Sequence, residues 1–264
     1  MNAAAEARLS ELDRALDAHE LSPALADELF SVADLLSGQA RLRNALADPT
    51  MPDDRRRELA RGLLAGRVSA DATDVVAEAA GLKWGGAAAF VAAIERQAAR
   101  ALLGHAQAAG VLDTVEDELF RFARTVAAEP QLRGALDEAA VGIEPRRQLV
   151  SDLLAAKVRP ETLTLARRAV GTASRTFEHA VDAQLKLAAA LRQRAIAVVT
   201  VARPLTDAQR DRLRAALVGQ LGRQVNLQVV VDPTVLGGAR VQVGDEVIEG
   251  TVAGRLAAAE SQLA

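Results

Sequence analysis

Between Val225 and Val231 the apolar side chains fall on every second position, Val225, Leu227, Val229 and Val231, with Asn226 and Gln228 between them. That is the period of a half-buried strand. Asp232-Pro233 ends it, because proline brings no ladder donor and disfavours a helical residue before it. Gly237-Gly238 permits a tight loop. Gly244-Asp245 then separates Val241/Val243 from Val247/Ile248, the signal of a two-residue hairpin. Thr251 is placed to cap a last helix with the stripe Val252, Leu256, Ala259 and Leu263. Upstream, the β-branched run Ala195 to Val201 predicts another strand, and Thr206 to Gln209 predicts a capping box opening a helix with Leu213, Ala216, Leu217 and Leu221 inward.

The rest of the chain carries the helical period. Residues 87–109 predict a long helix with Phe90, Ile94, Ala98, Ala101/Leu102 and His105 on one stripe. It breaks at Gly110, and Asp113 with Glu116 resembles a capping box. A second long helix is predicted over Thr172 to Arg192, with Phe177, Val181, Leu185 and Ala188 on one face.

Around these helices the chain repeats itself. Glu28 to Gly81 aligns without a gap onto Glu118 to Gly171, a shift of 90 residues, with 17 of 54 pairs identical. Glu28-Leu29-Phe30 matches Glu118-Leu119-Phe120, Arg56-Arg57 matches Arg146-Arg147, and Leu63-Leu64-Ala65 matches Leu153-Leu154-Ala155. A gap-free match of this length points to duplication of a helical unit. Each copy reads as four helices, broken near Gly38 and Glu129-Pro130, near Asp48 to Pro52 and Gly142 to Pro145, and near Ser69 and Pro160. The pattern thus predicts a mainly α chain of tandem helical bundles, of the six-helix type with the N-terminal repeat duplicated, followed by a small α/β module with a β-hairpin. The expected divisions are residues 1–85, 86–193 and 194–264.

Composition narrows the chemistry. The chain has 264 residues, half of them apolar but only six aromatic, and its Ala, Leu and Val suit close-packed helices. With no cysteine there is no disulfide, thiolate metal site or cysteine nucleophile. The net charge of −3 divides into −5 over residues 1–85 and +1 over each of 86–193 and 194–264, and no segment is basic enough for a nucleic-acid footprint. Arg55-Arg56-Arg57 is the densest basic cluster and reads as a solvated helix face. Residues 1–10 have no apolar core of a secretory signal, and the run Ala195 to Ala202 is far below the roughly 20 residues of a membrane helix. Direct membrane insertion is therefore not expected. No G-x-x-x-x-G-K-[ST] occurs: Gly81 and Gly86 have the spacing, but Ala87-Ala88 follows. His19, His105 and His179 are scattered, and the acidic runs Asp53-Asp54 and Glu116-Asp117-Glu118 lie at helix starts, where carboxylates favour the dipole. No catalytic, cofactor or metal residue is assigned.

The C-terminal stretch resembles the signature of the delta subunit of bacterial F-type ATP synthases, the family of the mitochondrial oligomycin-sensitivity-conferring protein. Its pattern is roughly V-D-P-S-L-I-G-G-x-x-x-x-V-G-D-x-V-I-D-G-S-V-x-x-R-L. This chain keeps Val231, Asp232, Pro233, Gly237, Gly238, Val243, Gly244, Asp245, Val247, Ile248, Gly250, Val252, Arg255 and Leu256. It departs conservatively at Thr234, Val235-Leu236, Glu249 and Thr251. Ala101 to Phe120 looks like the opening of the family's six-helix bundle, and Ala202, Pro204 and Leu205 match part of its S-A-x-P-L. Residues 86–193 then resemble the usual bundle, with residues 1–85 an added copy in front.

The resemblance implies a non-catalytic stator subunit without cofactor, which joins the alpha/beta head to subunit b of the peripheral stalk at the cytoplasmic face of the membrane. It implies that the N-terminal helix of an alpha subunit lies between the first and fifth bundle helices, here about 87–109 and 160–171. The candidate groove residues are Ala98, Leu102, Leu163, Ala166 and Val170, each of which also fits a core position. For subunit b the candidates are Val235, Leu236 and Leu256. A stand-alone helical-repeat adaptor would account for the duplication but not for the hairpin signature.

Overall fold

The structure is a computed structural model that describes residues 3–138, 140–171, 176–194, 196–221, 226–235, 238–243 and 246–249. The chain divides into two compact units, Met1–Ala188 and Ala189–Ala264.

The first unit is helical. Its helices are α1 (Ala3–Asp17), α2 (Pro23–Gly38), α3 (Ala40–Leu46), α4 (Asp53–Leu64), α5 (Ala70–Gly81), α6 (Ala87–Ala108), α7 (Leu112–Ala128), α8 (Pro130–Asp137), α9 (Ile143–Leu154) and α10 (Pro160–Ala169), followed by α11 (Phe177–Arg194). The 90-residue shift is visible in the boundaries. Asp53–Leu64 maps end to end onto Ile143–Leu154, while Ala40, Ala70 and Ala87 map onto the starts Pro130, Pro160 and Phe177. The span of α1 maps inside α6. So α6 has two roles: it is the sixth helix of the set α1–α6 and the first of the set α6–α11. This explains its burial. Besides the predicted stripe of Phe90, Ile94, Ala98 and Ala101, the side chains of Val91, Ala99, Leu103 and Ala106 are also covered. A helix covered on nearly every face belongs inside a bundle. Helix α2 lies along α6, α4 against α5, and α10 against α9, α7 and α6. The expected segment 1–85 therefore shares its packing with the helices after it.

The caps show why the boundaries fall where they do. Ser22 and Ser69 accept from the backbone of Leu25 and Ala72 at the starts of α2 and α5. Pro130 and Pro160 stand in the first turns of α8 and α10, where a missing N–H costs nothing. The Asp113 box is not the cap of α7, which begins at Leu112 after Val111, with Asp113 inside the first turn. Gly110 turns the chain with φ +71°, and the helix follows at once.

The second unit contains β1 (Ile196–Val201), α12 (Asp207–Leu221), β2 (Asn226–Val231), β3 (Ala239–Val243) and β4 (Glu246–Glu249) in a sheet of order β2-β1-β3-β4. β1 and β2 are parallel, joined through α12, and β1–β3 and β3–β4 are antiparallel. Val243 pairs with Glu246, the register of the expected hairpin, whose turn residues 244–245 lie outside the described residues. The capping box at Thr206 forms: its N–H donates to Gln209 Oε1 at 2.9 Å, and its hydroxyl accepts from the Gln209 N–H at 3.3 Å. Ala197, Val199, Val201, Leu217, Val241 and Val243 form the core, with Leu213, Leu227 and Val229 against it. Two expected inward residues face out. Val231 is exposed at the end of its strand, and Ala216 is exposed on α12 while Leu217 takes the core position. The expected last helix after Thr251 lies outside the described residues.

Candidate protein-interaction surfaces

Of the five groove residues, Ala98 and Leu102 sit on α6 and Leu163 and Ala166 on α10, with Val170 just after it. Ala98, Leu102, Ala166 and Val170 are buried within the chain, and Leu163 is half-buried. Leu163 is the one of the five that offers surface. In the second unit Val235 is half-buried, while Leu236 and Leu256 lie outside the described residues. Val235 follows a turn that the sequence sets up twice. Asp48-Pro49-Thr50 and Asp232-Pro233-Thr234 have the same geometry, the carboxylate accepting from the Thr N–H at 2.9 Å and its hydroxyl at 2.7 Å. These bonds from Thr50 and Thr234 hold both aspartates below the usual carboxylate range.

Polar groups define how the two helical sets are joined. Along α1 and α6, Asp13 accepts from Arg96 and from Gln97, and Asp17 accepts from Arg100. Burial alone would raise the Asp13 carboxyl, but the hydrogen bond and charge of Arg96, with the charge of Arg100, bring it down to about 2. One repeat later Asp13 corresponds to Leu103 and Gln97 to Leu187, both buried. A polar seam in the first set is thus apolar in the second.

The expectation that Arg55-Arg56-Arg57 is a solvated face fails at its centre. Arg56 is 1% exposed and donates to the carbonyls of Asp48, Met51, Ala80 and Gly81, and to Asp53. It closes the α4 start onto the α5 end, so its charge is met by carbonyls left open at the end of α5 and by carbonyls of the turn before α4. Arg57 pairs with Glu78 at 3.3 Å. In the second set these two positions are Arg147 and Arg168, both cations, and the pair is bridged from outside by Asp34 of α2. Asp34 lies 2.6 Å from Arg168 and 3.6 Å from Arg147. The Arg168 guanidinium also stands 4.4 Å from the centre of the Phe30 ring. Glu95 of α6 belongs to this cluster; burial and Asp34 raise its carboxyl against the pull of Arg168 and Arg147. Sequence spacing could have flagged the joint, because Glu78 becomes Arg168 while its partner Arg57 stays an arginine as Arg147.

Among the described residues no helix is long and apolar enough to cross a membrane. The arrangement is one of packed helices with polar joints.

Comparison with known proteins gives a consistent result. A family model described as ATP synthase delta (OSCP) subunit matches residues 94–263, beginning inside α6. An ATP synthase subunit delta from Streptomyces avermitilis is 45% identical over 241 residues, 91% of this chain and 88% of its own. Another from Thermobifida fusca is 40% identical over 270 residues and covers both chains completely, so the likeness includes the first helical set. A chain of the Toxoplasma gondii mitochondrial ATP synthase hexamer aligns over 62% of this chain and 94% of its own at 22% identity, but with a TM-score of 0.31 it carries no argument.

Proposed function

The chain belongs to the ATP synthase delta (OSCP) subunit family, a stator component of F-type ATP synthase, and from that premise we propose that it ties the alpha/beta head to subunit b. The observation that carries the proposal is the span of the family match, residues 94–263, which takes in most of α6, α7–α11 and the sheet-bearing unit together. On this reading the rotor can drive ATP formation because the head is held against its torque. The subunit is non-catalytic and works from the cytoplasmic face of a bacterial plasma membrane as a peripheral protein. The absence of a phosphate-binding loop in the sequence supports a role without nucleotide.

The division into two units supports two contacts. The helical unit would receive the N-terminal helix of an alpha subunit along α6 and α10, in the manner of a helix laid in a groove. Leu163 is the candidate with surface for it, and Ala98, Leu102, Ala166 and Val170 would form the floor beneath. The second unit would hold the end of subunit b near Val235, Leu236 and Leu256. Two linked contacts raise avidity above either alone.

Deleting residues 194–264 tests the division of labour. The remaining chain is expected to keep its hold on alpha in co-purification and to lose subunit b, and proton-driven ATP synthesis in membranes should collapse while the head still hydrolyses ATP. Full synthesis with the truncated chain would sink the proposal. A stand-alone adaptor would co-purify with neither subunit.

A further inference from the structure

We propose that the outer stripe of α7, Phe120, Ala123 and Arg124, docks an amphipathic helix of another subunit of the same complex. That helix lays apolar side chains on Phe120 and Ala123 and sets a carboxylate against Arg124. The proposal rests on the stator reading for the source of the partner, while its argument is internal to the chain.

Helix α2 buries two stripes. Leu25, Leu29, Val32 and Leu36 are buried, and so are their counterparts one repeat later on α7: Val115, Leu119, Phe122 and Val126. The second stripe of α2, Ala26, Phe30 and Ala33, is buried as well, with Arg168 of the following set seated on Phe30. Its counterparts are Glu116, Phe120 and Ala123. There the match in environment ends. Phe30, with Arg168 of the following set over its ring, is 2% exposed, and Phe120 is 53% exposed. The last unit of an array turns a polar face outward when that face meets only water. Here the edge has become polar, Ala26 giving way to Glu116, yet the phenylalanine at its centre is kept.

Charge identifies the occupant. On α2 the stripe ends in Asp34, which meets two arginines of its cover. The corresponding residue on α7 is Arg124, exposed and, among the described residues, without an ion pair. Its complement is a carboxylate. Phe120, Ala123, Arg124 and Ala127 stand at i, i+3, i+4 and i+7, the footprint of one crossing helix. A second copy of the chain does not fit in the same manner: its α1 would need the place that α11 holds, since the sixth helix of one set is the first of the next.

The test places a photoreactive benzoyl-phenylalanine at position 120 of the full chain, in reconstituted ATP synthase. The expected result is a crosslink to a helix of another subunit, with an acidic residue within one turn of the crosslinked position. Arg124→Glu should weaken that crosslink roughly tenfold, and reversing the acidic residue on the other subunit should restore it. Circular dichroism of each variant should match the unmodified chain, because neither side chain is in the core. Assembly with no crosslink, a crosslink to a second copy of the chain, or a crosslink indifferent to Arg124→Glu overturns this proposal and leaves the stator reading intact. Failure of the unmodified chain to enter the complex overturns both.

Discussion

Asp13 shows how one residue can hold a buried charge network. It is almost fully covered, beside Arg100 at 1% exposure and Gln97 at none. Its folded carboxyl titrates near 2 against an ordinary 3.8, so its contribution to stability is complete above pH 3.8 and is lost as pH falls toward 2. The window is worth about 2 kcal/mol, readable as a steeper acid loss of urea stability in the wild type than in Asp13→Asn. Asp13→Ala should cost about 1–3 kcal/mol at neutral pH, since it removes the acceptor of Arg96 and of the buried Gln97 amide while Arg100 keeps Asp17. Asp13→Leu with Gln97→Leu and Arg100→Met, in imitation of Leu103 and Leu187, should recover most of that loss, because apolar replacement of a whole buried set is often neutral. A triple variant no better than Asp13→Ala would show that the second set's apolar solution does not transfer. Glu95 has the opposite sign. Its raised carboxyl penalises the charged form in the fold, so stability declines as pH rises through its titration. Glu95→Gln should therefore raise the urea midpoint at pH 7, with the gain vanishing below pH 4.5. None of this was legible in the sequence. Arginine runs read as solvated faces, and only the folded chain shows Arg56 facing inward on carbonyls.

Helices were the most legible elements, because their signals are local. The apolar period and the breaks near Gly38, Glu129-Pro130, Ser69 and Pro160 gave boundaries close to those of the fold, and the repeat gave them twice. What stayed hidden is which face of an alanine-rich helix is shared. The stripe expected on α6 is correct but incomplete, since alanine marks no face by itself and burial there comes from two bundles. Equivalent elements also solve the same task with different residues. Glu28 clamps the start of α5 by accepting from the Ser69 N–H and hydroxyl, whereas Glu118 clamps α10 by accepting from the Arg159 N–H and the Thr162 hydroxyl. Ser69 is exposed and Thr162 is fully buried. Removing the acid leaves the first free to bond water and the second orphaned, so Glu118→Ala should cost about 1–3 kcal/mol and Glu28→Ala about 1 kcal/mol or less. Paired thermal melts of the two variants check the order, and equal losses would refute it.

At the scale of the whole molecule, the division into Met1–Ala188 and Ala189–Ala264 predicts two unfolding events in place of one. Guanidinium titration followed by helical signal should lose most of its amplitude in one transition, assigned to the first unit. The isolated residues 1–194 should reproduce that transition, and a single coincident transition in the full chain that vanishes on truncation would show that the units do not fold separately. The division expected at residue 85 came from setting residues 86–193 against the family's bundle, and the packing of α2 along α6 runs across it. Sharing α6 has a further consequence, for descent. Two complete six-helix bundles laid end to end would repeat with a period of six helices, yet the period here is ninety residues and five helices. An unequal crossover anywhere within the repeat, at matched positions, would excise ninety residues and still leave one continuous helix serving as sixth or as first. The chain can therefore shorten to a single bundle, or lengthen by another, in one recombination step with no new junction to invent.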